Sequence, residues 1–268
     1  MYVFQCEDSI DGIFTAVYDA WASHYGHKNI RLSSSQSGEL TLFSEYITVA
    51  TDFEKSRKVA RTLIKRLGVD FYETICSCAM ADGSFRKLCM DKATAIYQTI
   101  VLALSLKEGA KVLDYLSEPC ISCIFELRRQ TWNESHHLLE FLRFCELKNG
   151  ILFAQVHPKN DVLPILAAHF TDRLPLENFI IYDAVHQTAA VHHASKSYLI
   201  ADASSLNLSL IQEFSSAEET FQKLWCTFFE TIAIEARENP SLQIQNIPKR
   251  FWADTVELKD RHGNQKKL

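Results

Sequence analysis

Two cysteine pairs, Cys76 with Cys78 and Cys120 with Cys123, have the C-x-C and C-x-x-C spacings from which four-thiolate metal sites and redox pairs are made. Metal-binding pairs of this kind sit on tight turns, often beside glycine. Here both lie in apolar stretches that read as helix, so packed thiols are expected and no metal centre. The doublets His136-His137 and His192-His193 invite the same question. Neighbouring residues on a helix or strand point apart, so a doublet does not bring two imidazoles to one ion. Glu134 and His136, two apart on an expected helix, have the same limitation. No H-E-x-x-H, G-x-S-x-G, Walker A loop or G-x-G-x-x-G occurs, which removes the usual support for protease, esterase, NTPase and dinucleotide readings. The stretch Ile247-Pro248-Lys249-Arg250-Phe251-Trp252 places two cations beside two aromatics. Such a patch can hold phosphate with the cations while Trp252 stacks on a base. On this feature alone it reads first as a C-terminal segment anchored by Phe251 and Trp252, with Lys249 and Arg250 solvated. Arg128, Arg129, Arg143 and Arg173 are further donors.

The elements that must position these groups follow from hydrophobic period and punctuation. Residues 2–5 read as a strand, followed by a helix that carries Ile10, Ile13, Phe14, Val17 and Trp21 behind Asp8 or Ser9. Serine-rich Leu32 to Glu39 reads as a loop and Tyr46 to Ala50 as a strand. Thr51 with Glu54 forms a capping-box pattern for a helix that stops at Gly68. Residues 84–104 keep one apolar face and predict a long helix. Another helix runs from Pro119 to about Glu140, and the period then changes to two. Asn149-Gly150 between apolar runs predicts a type I′ hairpin joining strands at 142–147 and 151–156. Asn160 or Asp161 is placed to cap a helix through Phe170, with Pro164 in its first turn. Strands are expected at 178–183, 188–193 and 197–201. Ser216 with Glu219 forms a second capping box, opening a helix to about Arg237 that would close the sheet.

A chain of 268 residues with 47% hydrophobic content can bury a substantial core, and disorder as the overall state is excluded. The net charge of −5 gives no whole-protein attraction to phosphate or anionic lipid, so a nucleic-acid contact must be a local patch. No apolar run approaches the ~20 residues needed to span a bilayer. A cytoplasmic protein with reduced thiols, no cofactor and no membrane contact is expected. The fold class is α+β: an N-terminal mainly helical region (1–120) packed on a mainly antiparallel sheet with covering helices (121–256), then a flexible tail (257–268).

Across roughly 130–252 the chain resembles a domain family of unknown biochemical function found in bacterial proteins assigned to DNA repair or DNA metabolism. The resemblance is carried by an E-x-H helix and F-[LV]-R-F, standing here as Glu134, His136 and Phe141 to Phe144. H-F-x-x-R follows as His169-Phe170 and Arg173, then an aromatic strand ending in Asp, Phe179 to Asp183. Trp225 to Phe229, Asn239 to Gln243 and Pro248 to Trp252 are similar to the last blocks. Tyr2 through Trp21 also looks like the opening of stand-alone members. His137 and Cys226 depart from the pattern, which commonly has arginine at both places.

That resemblance implies an association with DNA repair. The domain occurs fused to uracil-DNA-glycosylase-like domains, and stand-alone members are paired with a radical SAM protein. This chain lacks the three-cysteine cluster motif of such an enzyme, so it would be the partner. Two readings stay open. One is an accessory protein that binds DNA, a repair enzyme or both, with Arg143, Arg173, Lys249, Arg250 and Trp252 as nucleic-acid contacts. The other is a nucleic-acid-processing enzyme using Glu134, His136, His169 and Asp183 as acid, base or metal ligands.

Overall fold

The computed structural model describes residues 1–34, 42–84, 88–205 and 213–259. The chain is α+β and divides into two units, Met1–Trp132 and Asn133–Leu268.

In the first unit the N-terminal strand β1 (Tyr2–Gln5) leads into α1 (Ile10–Ala22), whose N-terminus is capped by Ser9 accepting the Gly12 N–H. The chain returns as β2 (Ile30–Ser33), parallel to β1, as a crossover through a helix requires. β3 (Glu45–Thr48) is parallel on the other side, giving the order β2-β1-β3. A three-stranded parallel sheet therefore lies inside the region expected to be mainly helical; strands were expected near β1 and β3, and β2 was not. Residues 32 and 33, expected in a loop, belong to β2: Ile30 and Leu32 are buried and Arg31 is exposed, a two-residue alternation too short to stand out beside the serines. The part of that expected loop after Ser34 falls outside the described residues.

Helices α2 (Phe53–Leu67), α3 (Val69–Ala79) and α4 (Lys92–Ser105) complete this unit with the first part of α5 (Pro119–Phe141). The α2 cap is Asp52, which accepts the Glu54 and Lys55 N–H groups, while the hydroxyl of Thr51, expected as the cap, donates to Glu7. Gly68, at φ 94°, ends α2 as predicted. Helix α4 starts later than the predicted residue 84. Asp91 caps it through the Ala93 N–H and also accepts from Ser33 Oγ and Ser34 N, so its conformation is set by β2. Residues 85–87 lie outside the described residues. Ile13, Phe14, Leu63, Phe71, Ile75, Ile96, Tyr97 and Leu127 form the core of this unit.

The second unit is built on a five-stranded sheet in sequential order: β4 (Cys145–Glu146), β5 (Leu152–Val156), β6 (Phe179–Asp183), β7 (Thr188–His192) and β8 (Leu199–Asp202). Its pairings are antiparallel except β5 with β6, which α6 (Leu163–Arg173) connects as a parallel crossover. The strand expected at 142–147 is only two residues long. The β4–β5 hairpin is not type I′: Gly150 N–H donates to Leu147 O, and Gly150 is at φ 77° while Asn149 has no positive φ. A three-residue loop, Lys148-Asn149-Gly150, with glycine alone in the left-handed region is the turn-plus-bulge alternative.

Nor do Asn160 and Asp161 cap α6. Val162 occupies that position without a side-chain bond, because the Asn160 amide is engaged elsewhere. Helix α7 (Ser216–Thr231) is capped by Ser215, one residue before the predicted cap, and ends before Arg237. None of its residues is fully buried; Phe221, Leu224 and Phe228 are exposed, so it does not seal the sheet as expected. After α8 (Pro240–Asn246), a 3-10 segment at Lys249–Asp254 brings Phe251 into the core formed by Leu138, Val156, Leu166, Phe170, Phe179 and Ile181. Leu258, expected in a flexible tail, is buried, and residues 260–268 of that tail lie outside the described residues. Among the described residues, no helix is long and apolar enough to cross a membrane.

Candidate functional site

The parallel pair β5–β6 ends at Val156 opposite Asp183, and the chemistry-bearing residues of the second unit gather around those carboxyl ends. His157 directly follows β5. Its Nδ1 lies 2.7 Å from Oδ1 of Asp254, at the end of the 3-10 segment. Asp183 closes β6, fully buried, and its Oδ1 accepts the Val185 and His186 N–H groups while Oδ2 lies 2.6 Å from His186 Nδ1. Each carboxylate raises the pKa of its imidazole through that hydrogen bond, against the opposing effect of burial. Ligand atoms of Asp161, Asp183 and His186 lie within 4.8 Å of one another, a grouping with the composition to hold a metal ion, although Asp161 is exposed.

Glu134, on α5, is buried beneath these groups' loops. Its carboxylate accepts from Lys159 N, from Asn160 N at 2.7 Å, from Asn160 Nδ2 and from Arg250 Nη1 at 2.8 Å. This one side chain thus fixes the loop after β5 and the 3-10 segment together, and its lone pairs are committed to that task. Arg250 also lies over the Phe251 ring, 4.4 Å from its centroid, and Phe251 stacks on His137. Arginine's planar cation suits both contacts.

A cleft of about 1180 Å³ opens beside this network, between the β4–β5 edge, α7 and the chain after Ala253. Arg143, His157, Lys223 and Lys259 bring positive or protonatable groups to its walls, against Glu219 and Asp254. Gln155 and Gln222 add neutral amides. Arg143 is 37% exposed and held by the Glu140 and Leu142 carbonyls, with Glu257 4.0 Å away.

Of the residues singled out in the sequence, Glu134 and Asp183 are buried in separate hydrogen-bonded networks. His136 is exposed on α5 near Glu140, and His169 is exposed on α6 against Phe170. None of the four lines the cleft. Arg173 is exposed at the end of α6. Lys249 is exposed, with Nζ 5.9 Å from the Trp252 ring centroid. Trp252 is 6% exposed and its indole N–H donates to Ile247 O, so it anchors the segment and presents no face to a base. Arg250 is not simply solvated, being paired with Glu134. His192 and His193 do point apart: His192 is buried against Phe179 and His193 is exposed. The cysteine pairs are packing groups. Cys78 Sγ donates to Ile124 O and Cys123 Sγ to Met90 O; burial raises both thiols, that of Cys123 to about 12. Sequence reasoning missed His157, His186, Arg250's partner and Asp254. The D-x-x-H spacing of Asp183 and His186 was available as a signal; nothing linked His157 to a carboxylate 97 positions away.

The second unit is thus an α+β domain with a cleft that carries three cations and two carboxylates, one histidine–carboxylate pair on its wall and a second outside it. The chain belongs to the family described as a domain of unknown function, DUF4130, which matches residues 90–257. No curated protein matches the chain. A solved chain described as the DHH domain of a member of a family of ribosomal proteins is similar at 15% identity and a TM-score of 0.33. The likeness covers 54% of this chain and 34% of that one, and it carries no argument about fold or function.

Proposed function

We propose that this chain is an accessory protein of DNA repair or DNA metabolism, binding nucleic acid along the cleft of its second unit and acting beside a radical SAM protein. The observation that supports the binding half is the cleft wall, where Arg143, Lys223 and Lys259 converge on one concavity in a chain whose overall charge is negative. A local cationic groove is what a phosphate backbone requires when net charge gives no attraction. Arg173 and Lys249, exposed elsewhere on the unit, extend the set of phosphate donors. The DNA-repair role and the radical SAM partner rest on the sequence blocks from Glu134 to Trp252.

The enzyme reading built on Glu134, His136, His169 and Asp183 is less favoured. A catalytic acid or base needs a proton-transfer partner within reach in a pocket. Glu134 is saturated by donors, and the two histidines are on the surface with neighbours of their own.

Titration of labelled single-stranded and duplex DNA at two salt concentrations tests the binding half. Binding that weakens with salt supports it, and no detectable binding at low salt removes it. For the partner, a pull-down from host lysate with and without DNA digestion separates protein contact from nucleic-acid bridging. Absence of the radical SAM protein from both samples would remove that half.

A further inference from the structure

His157 divides its two ring nitrogens between different surroundings. Nδ1 is bonded to Asp254 Oδ1, and the Asp254 side chain is only 7% exposed. The second oxygen of that carboxylate, Oδ2, is buried with no hydrogen-bond partner among the described residues, so His157 is the neutralising contact of this group. The imidazole itself is 41% exposed and lines the cleft; Gln155 Nε2 lies 3.3 Å from its Nε2, a hydrogen bond that the neutral ring accepts and that the protonated ring exchanges for an acceptor in the cleft. A buried carboxylate behind one nitrogen and an open concavity before the other is the arrangement that presents a histidine as a donor.

We propose that His157, oriented by Asp254, is a phosphate-contacting residue of the cleft, donating from Nε2 to a backbone oxygen of a bound single strand. This assignment rests on the nucleic-acid reading above and adds the residue that makes binding depend on proton concentration. Asp254 holds the imidazole pKa above its ordinary 6.5, helped by the field of Asp183 at the end of the neighbouring strand. On the cleft walls Glu219 has the same sign as these carboxylates, and Arg143, Lys223 and Lys259 the opposite. Cys145, pushed by burial to about 11, stays neutral through the range in which His157 titrates. The protonated ring contacts phosphate below its raised pKa, and the contact is lost as pH rises through that value.

Anisotropy titrations of labelled oligothymidine at about pH 6 and about pH 9, at fixed ionic strength, test the assignment on the full chain. The wild type should bind about tenfold more weakly at the higher pH, the scale of one charged hydrogen bond. Its log–log salt slope should also be shallower there by about 0.7, the value of one single-strand phosphate contact. His157→Gln should bind at the lower pH as the wild type does at the higher and show no further fall. His186→Gln should keep the wild-type fall, since that histidine does not line the cleft. Both variants replace partly exposed rings, and their melting curves verify folding. Equal wild-type affinity at both pH values, or a fall that survives His157→Gln, overturns the assignment and leaves nucleic-acid binding standing. No wild-type binding at low pH and low salt overturns both.

Discussion

Glu134→Ala should be among the most damaging single substitutions in the second unit. The Glu134 side chain is 1% exposed, and truncation removes the acceptor from four donors. Two of these, the Lys159 N–H and the Arg250 guanidinium, belong to exposed residues and can recover water. The Asn160 N–H and side-chain amide cannot, because Asn160 is 2% exposed. A hydrogen bond to a charged group is worth about 1.5–3 kcal/mol, so losing the two that Asn160 donates to Glu134 comes to about 4 kcal/mol. At about 2–4 °C per kcal/mol for a chain of this size, calorimetry should show a fall in Tm of about 8–16 °C. Glu134→Gln, which keeps one acceptor oxygen, should cost about half as much. Arg250→Ala should cost about 1 kcal/mol or less, since the cation is 38% exposed and the carboxylate keeps its other donors. A Glu134→Ala protein within about 1 kcal/mol of wild type, or an Arg250→Ala protein equally destabilised, would refute the view of Glu134 as the organiser of these loops.

Gly150 is at φ 77° with open space where a Cβ would go, so Gly150→Val should cost about 1–2 kcal/mol from the backbone alone and Gly150→Asn clearly less; equal melting temperatures would contradict the turn assignment. Trp252→Ala should destabilise by about 3–5 kcal/mol in urea unfolding, as a buried aromatic anchor does, whereas an unchanged midpoint would return Trp252 to the list of base-stacking candidates. The His186 pKa is raised by Asp183, so this pair's stabilisation is complete below about pH 6.5 and is lost as pH rises through the folded value. His186→Gln should therefore flatten the pH dependence of Tm above about pH 6.5, and an unchanged profile would show that the pair does not contribute.

Strands β6 and β7 were legible because short apolar runs, Phe179–Tyr182 and Ala189–Val191, are bounded by turn and polar residues. Strand β2 was hidden because only two apolar residues, Ile30 and Leu32, mark its buried face before the serine run begins. Caps were misplaced by one residue at Asp52 and Ser215, where adjacent side chains have equal capping chemistry and tertiary bonds decide which one turns inward. The predicted start of α4 failed for a related reason: Asp91 answers to β2 as well as to its own helix. The hairpin position was read correctly and its turn type was not, since Lys148 joins the loop and leaves only Gly150 at positive φ. In the candidate site, Glu134 was visible as part of a family-like block, but a block does not reveal that the carboxylate faces Asn160 and Arg250. His157 and Asp254 meet only because the 3-10 segment packs at the end of β5, a contact no local pattern encodes.

Nucleic-acid binding in the cleft is tested most directly by the salt dependence of single-stranded DNA affinity in wild type and in the Arg143→Ala, Lys223→Ala double variant. At about pH 9, where His157 is neutral, the three wall cations should give the wild type a log–log slope of about −2, and the double variant a slope shallower by about 1.4 with its melting temperature preserved. An unchanged slope in the double variant, or no binding by the wild type at low salt, would contradict the account.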